Sequence, residues 1–435
     1  MVEFPANLDL IPPDDAIEVN DLLISEREYE NLKMLNFEDS WIKQIKQEGE
    51  IVHGGHVYGG HVVRLETHSK IPDNFDFSVF PFLIILIINS HYSGKILPPS
   101  VGRLDHLRYL EFSGPFKCDT ITGDLKLSPN LEILNLAGNN LKEIPALLKE
   151  PSNLMELILN KNPLQELPGW VEKCINLRVL SIDLTKISNF PQSLDFLPNL
   201  KELYLSEMAL KSVPSFIKHL SKLELLFIDR NEITILPEWI GNLSSLKTLQ
   251  LARNSISHLP TSIGKLLNLE TINIHHNNIQ EIPNSIGGCV NLKELKAWNN
   301  KITQVGPGIG KCSNLNILNL EKNEIRHVPD TLGDMKSLRR CNLNDNHLEE
   351  LPESVGKLHN LNFLNIASNQ LRDLPESMGD LPEDLTIIMG NNPLPDILWK
   401  ILDENDGIKE VPILSQFFKI REEAKRRLLE KKEKQ

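Results

Sequence analysis

Several stretches of this chain carry residue types that could do chemistry. HGGHVYGGH sets His53, His56 and His61 on a Gly-rich segment, with His68 just beyond. Imidazole is a common zinc ligand, and a hairpin could gather three of them. No Cys or nearby acid completes a tetrahedral set, so a cap hairpin is the simpler interpretation, with metal binding left open. GPGIGKCS at 306–313 looks like a phosphate loop, but that loop needs Gly at 305, which is Val305. Ile-Gly-Lys also recurs at 263–265, so the likeness belongs to a repeat. No Ser-His-Asp, Cys-His or paired-carboxylate arrangement stands outside that repeat. Neither catalysis nor a cofactor is expected. The five cysteines, Cys118, Cys174, Cys289, Cys312 and Cys341, are odd in number and lack the paired spacing of a disulfide framework or zinc site.

A different chemistry, recognition, is suggested by the middle of the chain. Tyr204, Phe227 and Trp298 fall at positions where a repeat asks for no aromatic. Asp229, Arg230, Gln250, Arg253, His275, His276 and Lys296 accompany them. Aromatics beside Arg are the composition of an interface hot spot. Scattered surface aromatics are the alternative, since these are normal on any protein.

The elements that must position these residues come from a period. From Leu131 the chain reads LEILNLAGNNLKEIPALLKEPSN, then LMELILNKNPLQELPGWVEKCIN, then LRVLSIDLTKISNFPQSLDFLPN. The pattern is LxxLxLxxNxLxxLPxxhxxhxx, with h apolar. Its Asn recurs at 139, 162, 231, 254, 277, 300, 323, 346, 369 and 392, and Thr185 and Met208 fill the two vacant slots. Twelve units of 23 residues share one register, and about three looser ones precede them, beginning at HVVRLE, 61–66. L-x-L is a short strand with Leu inward and x outward. The Asn side chain can satisfy backbone groups of the neighbouring coil. Leu-Pro closes the turn, and each unit buries its Leu face only against its neighbours. Cys174, Cys289 and Cys312 share one slot and Cys341 replaces a strand Leu, so the cysteines are expected in the core.

The pattern resembles the leucine-rich repeat family, in the 23-residue form common in intracellular adaptor and signalling proteins. The resemblance covers roughly residues 61–394. It implies an α/β solenoid, a curved horseshoe with parallel strands on its concave face, and a surface that binds protein. On such a face the outward columns bring Tyr204 and Phe227 onto adjacent strands, and residues 177–299 become the expected partner site. NNPLP followed by an amphipathic helix is also similar to the end of the leucine-rich arms of Roco-type proteins, with no GTPase within this chain.

The ends should cap the array. Residues 1–60 are expected to be a helical and hairpin cap, with a helix over 14–48 packing Leu22, Leu23, Leu32, Leu35, Trp41 and Ile45. Residues 395–435 are expected to be a helical cap and basic tail, with Trp399, Leu402, Phe417 and Phe418 covering the last coil. The net charge of -13 argues against nucleic acid as partner. Much of the excess lies in residues 1–40, which carry -9, while the tail from Lys419 carries +4. No signal peptide opens the chain, and Val79–Ile88 is too short an apolar run to span a bilayer as a helix. A cytoplasmic protein is expected. Its leading role is an adaptor or scaffold for a protein partner such as a small GTPase or a GTPase/phosphatase complex. The alternative is a regulatory or targeting subunit of an enzyme such as a phosphatase or GTPase. A GTPase-linked arm and a secreted effector are less favoured, and the oligomeric state is left open.

Overall fold

The computed structural model describes residues 16–19, 22–34, 42–44, 55–58, 61–67, 71, 75–88, 96–114, 118–121, 125–144, 152–191, 194–195, 197–396, 398, 400, 418, 419 and 422. They fall into two compact units, Met1–Ala209 and Leu210–Gln435.

The first unit begins with two short strands, β1 (Ala16–Val19) and β2 (Leu22–Ser25), paired antiparallel. Helix α1 (Glu26–Met34) follows. This corrects the helix expected over 14–48. AIEV and LLIS are rich in β-branched and apolar residues and flank Asn20-Asp21, a turn-forming pair, so they pair as strands. Leu22 and Leu23 therefore lie in β2, while Leu32 packs fully buried from the helix. Leu35, Trp41 and Ile45 lie outside the described residues. Next, β3 (Ile42–Gln44) pairs with β4 (Gly55–Tyr58), and β4 turns back antiparallel onto β5 (His61–Thr67) as the expected hairpin. Glu28 of α1 pins that hairpin. Its buried carboxylate accepts the Val62 N–H at 2.6 Å and lies 3.1 Å from His61 Nδ1.

From β5 the sheet is parallel. β6 (Ile85–Ile88), β7 (Tyr109–Phe112), β8 (Ile133–Asn135), β9 (Glu156–Ile158), β10 (Val179–Ser181) and β11 (Glu202–Tyr204) follow in order. One apolar residue per strand forms the spine of the core. Leu65, Leu86, Leu110, Leu134, Leu157, Leu180 and Leu203 pair in register and are each 0% exposed.

The second unit repeats this more strictly. In chain order come β12 (Leu225–Phe227), β13 (Thr248–Gln250), β14 (Thr271–Asn273), β15 (Glu281–Ile282), β16 (Glu294–Lys296), β17 (Gln304–Val305), β18 (Ile317–Asn319), β19 (Arg340–Asn342), β20 (Phe363–Asn365) and β21 (Thr386–Ile388). β15 and β17 pair only with each other, and the rest form one parallel sheet. The spine runs Leu226, Leu249, Ile272, Leu295, Leu318, Cys341, Leu364, Ile387, so Cys341 does fill a strand Leu slot.

The return segments are single turns of 3₁₀ helix, such as Thr261–Lys265 and Asn284–Gly288. The Leu-Pro step explains them. Pro260 and Pro283 hold extended dihedrals just before the turn, and their carbonyls accept the N–H of Ile263 and Ile286 at 3.1 and 3.0 Å. Ile-Gly follows because the glycine has no room for a side chain. At Gly264 an added Cβ would fall inside van der Waals contact of the Ser285 carbonyl oxygen of the next coil.

The recurring Asn builds a ladder. In Asn277, Oδ1 accepts the N–H of Ile256 at 3.0 Å in the preceding coil. Its Nδ2 donates to the Leu251 carbonyl at 3.0 Å and to the Ile274 carbonyl of its own coil at 3.0 Å. Asn254, Asn300, Asn323, Asn346, Asn369 and Asn392 repeat these bonds. Strand ends would otherwise bury unpaired amides, and the carboxamide, both donor and acceptor, closes them. Thr185, in the first vacant slot, keeps the own-coil bond, 2.9 Å to Ile182 O.

The five cysteines are free and buried. Burial pushes their thiols up, to about 11 for Cys118 and Cys312 and about 12 for Cys174, Cys289 and Cys341. Thiolate is the reactive form. A soluble disulfide reagent is therefore expected to label none of them within minutes in native buffer and all five in denaturant. Rapid native labelling of any one would contradict its place in the core. At the C-terminal end, Leu398 and Phe418 are buried, and Leu398 N–H reaches Pro395 O at 2.9 Å. Trp399, Leu402 and Phe417 lie outside the described residues.

Candidate interaction surface

Each strand presents two outward residues. In the second unit, Phe227, Gln250, Asn273 and Lys296 stand in register on β12, β13, β14 and β16. All four are half-buried. Two residues on, as the chain leaves each strand, lie Asp229, Ala252, His275 and Trp298, and one further Arg230, Arg253, His276 and Asn299.

This last column has an unusual backbone. Arg230, Arg253, His276, Asn299 and Lys322 all have positive φ, between 53° and 56°. Left-handed backbone costs a residue with a Cβ about 1 kcal/mol. The fold imposes it, because the N–H of Arg253 reaches forward to the His275 carbonyl of the next coil at 2.8 Å and that of His276 to the Trp298 carbonyl at 3.0 Å. The cheapest residues here are Gly, Asn and Asp, and Gly138, Asn299, Asp345 and Asn391 obey that rule. Lys161, Leu184, Glu207, Arg230, Arg253, His276, Lys322 and Ser368 do not, so the slot tolerates many side chains.

The rings of His275, His276 and Trp298 form one cluster. His275 stacks on Trp298, with centroids 4.4 Å apart and planes at 21°. His276 meets the indole edge-on at 4.3 Å and 81°. The two imidazoles touch through Nδ1 atoms 2.9 Å apart, a contact that needs one Nδ1–H and one bare nitrogen. Burial, then the charges of His276 and Arg253, bring His275 down to about 4. Burial, Arg253 and Lys322 lower His276 as well. Both shifts favour the uncharged pair. The cluster is a half-exposed aromatic platform, edged by exposed Arg253 and Lys322.

The remaining residues singled out from sequence are placed less tightly. Asp229 lies 3.9 Å from Arg230, and Lys296 pairs with Glu294 at 2.6 Å. Tyr204 is half-buried on the last strand of the first unit, its hydroxyl donating to Glu202 at 2.8 Å. Burial and Glu202 raise its pKa. It is not part of the cluster around Trp298 within the second unit. Of the histidine hairpin, His61 packs against Phe82 with centroids 4.3 Å apart and meets Glu28, while His53 and His68 lie outside the described residues. Among the described residues no group of three His, Cys, Asp or Glu side chains is placed to hold a metal ion.

Two features were missed from sequence. The first outward position of each strand was not included, yet there Arg340 lies over the Phe363 ring at 4.9 Å. A second Asn ladder also escaped notice. Asn268, Asn291 and Asn314, each just before a unit's first Leu, donate to Ser244, Leu267 and Val290 carbonyls at 2.9 Å. The signal was present, an Asn-Leu pair at eight of the twelve strict units, but it looks like polar filler.

Models of the leucine-rich repeat region match residues 169–254 and 245–340, and a single leucine-rich repeat matches 130–150. No curated protein matches the sequence. Among solved structures, a leucine-rich repeat protein of Leptospira interrogans is similar at 25% identity, covering 78% of this chain and 91% of that one, with a TM-score of 0.67. The leucine-rich repeat ectodomain of the plant membrane receptor kinase GASSHO1/SCHENGEN3 from Arabidopsis thaliana, in complex with Casparian strip integrity factor 2, is 31% identical. That match covers 75% of this chain and 40% of the plant chain, with a TM-score of 0.62. An internalin from Listeria monocytogenes is 26% identical over 65% of this chain and 80% of its own, with a TM-score of 0.57. The period that sets the register of the sheet is the one these families are named for, and the chain is a leucine-rich repeat protein.

Proposed function

We propose that the protein is a non-catalytic adaptor or scaffold of intracellular signalling that holds a protein partner on the outward face of its parallel strands. The observation that carries this is the His275–His276–Trp298 platform. A large indole is held rigidly by two imidazoles, half-exposed, at a position the repeat leaves free. Rigid, partly buried aromatics next to Arg dominate binding energies at protein interfaces. The fold is typical of protein-interaction modules, and the similar plant ectodomain was solved with a second molecule bound. Five free, buried thiols are consistent with a reducing compartment, and we place the protein in the cytoplasm.

Affinity capture with mass spectrometry tests this. Trp298→Ala is expected to weaken capture of a specific partner about thirtyfold, the effect of losing roughly 2 kcal/mol at a hot spot. Phe227→Ala, in the same unit, is expected to act in the same direction. Both variants should melt within a few degrees of the wild type, since these residues stand outside the Leu spine. Recovery of an unchanged set of partners by both variants would place binding elsewhere.

A further inference from the structure

We infer that the platform in the second unit receives an acidic segment of a protein partner, with a carboxylate set between Arg253 and His276 at the edge of the Trp298 ring. This rests on the proposed use of the strand face for binding and adds the chemistry of the ligand.

Charge at this spot runs against that of the whole molecule. The chain carries a net charge of -13, yet the groups facing the two imidazoles are mainly cationic. Arg253 and Lys322 face His276, while His276, Arg253, Lys296 and one acid, Asp229, face His275. Of the nearby carboxylates, Asp229 lies by Arg230 and Glu294 holds Lys296, while Glu321 accepts from the Asn342 amide at 2.9 Å and keeps its charge. Arg253 and Lys322 are exposed, and among the described residues neither has a carboxylate partner. At physiological salt the Debye length is about 8 Å, so remote acids are screened and the local cations dominate.

Arginine's planar fork matches a carboxylate. An imidazole beside it offers one N–H when neutral and becomes a cation when protonated, and an arriving anion favours that protonation. Binding is therefore coupled to proton uptake.

The test uses the full chain and poly-L-glutamate of about twenty residues, followed by calorimetry at low and physiological salt. Wild type is expected to bind, and at least threefold more tightly at pH 6 than at pH 8. Arg253→Glu should weaken binding at least tenfold. This variant suits the backbone, because Glu207 occupies the equivalent position with φ of 58°. His276→Asn should retain binding but lose the pH dependence, and Asn299 shows that Asn fits there. Absence of polyglutamate binding, indifference to Arg253→Glu, or equal binding of a twenty-nucleotide oligothymidine would each overturn the inference. If Trp298→Ala abolishes partner capture while Arg253→Glu leaves it intact, the binding face stands and its acidic ligand does not.

Discussion

Asn277→Leu is expected to destabilise the second unit by about 4 kcal/mol, and the same change at any other complete rung of the ladder by a similar amount. The estimate counts the groups left behind. The N–H of Ile256 and the carbonyls of Leu251 and Ile274 lose their partner in a buried setting, at about 1–3 kcal/mol each. Leu fills the volume, so the loss is one of hydrogen bonding, not of packing. Asn277→Thr should cost roughly half as much, because Thr185 demonstrates that a hydroxyl keeps the own-coil bond. Urea unfolding measures the total, and amide exchange at Ile256 locates it. A cost below 1 kcal/mol for Asn277→Leu would mean that water replaces the carboxamide.

Gly264→Ala is the second large effect, expected at about 3 kcal/mol or more, at the upper end of overpacking costs. The added methyl group meets the backbone of Ser285, not a movable side chain, so relief requires the two coils to separate. Gly390→Ala is the matched control. Nothing lies within 4 Å of its Cβ position, and its φ is ordinary, so the change should be neutral or stabilising by about 0.5 kcal/mol. Thermal melts of the two variants compare them directly. Equal melting temperatures would show that the 3₁₀ turns are not tightly stacked.

The strict repeats were legible because each position has one physical job. Leu at the strand, Asn at the turn and Pro before the 3₁₀ turn are all required by backbone pairing or burial, and their 23-residue recurrence removes ambiguity. The N-terminal region lacked that redundancy. A run such as Leu22, Leu23 and Ile24 fits a strand as well as a helix, and nothing local decided between them. Outward columns were legible too, so His275 and Trp298 could be placed as neighbours. Their stacking, and the Nδ1 contact between His275 and His276, depend on rotamers that no spacing encodes. Arg340 and Phe363 were overlooked because attention fell on the central outward column, although β19 and β20 present both outward columns equally.

The Asn rungs have a consequence for how the chain folds. Each joins residues 21 or 26 apart, and from β5 onward the parallel sheet pairs residues 21 to 24 apart, whatever the length of the array. Loop closure therefore costs nearly the same at every step, and relative contact order falls as coils are added. A parallel sheet is ordinarily slow to assemble because its strands must meet across long stretches of chain. Here two neighbouring coils suffice as a nucleus, and further coils zip on one at a time.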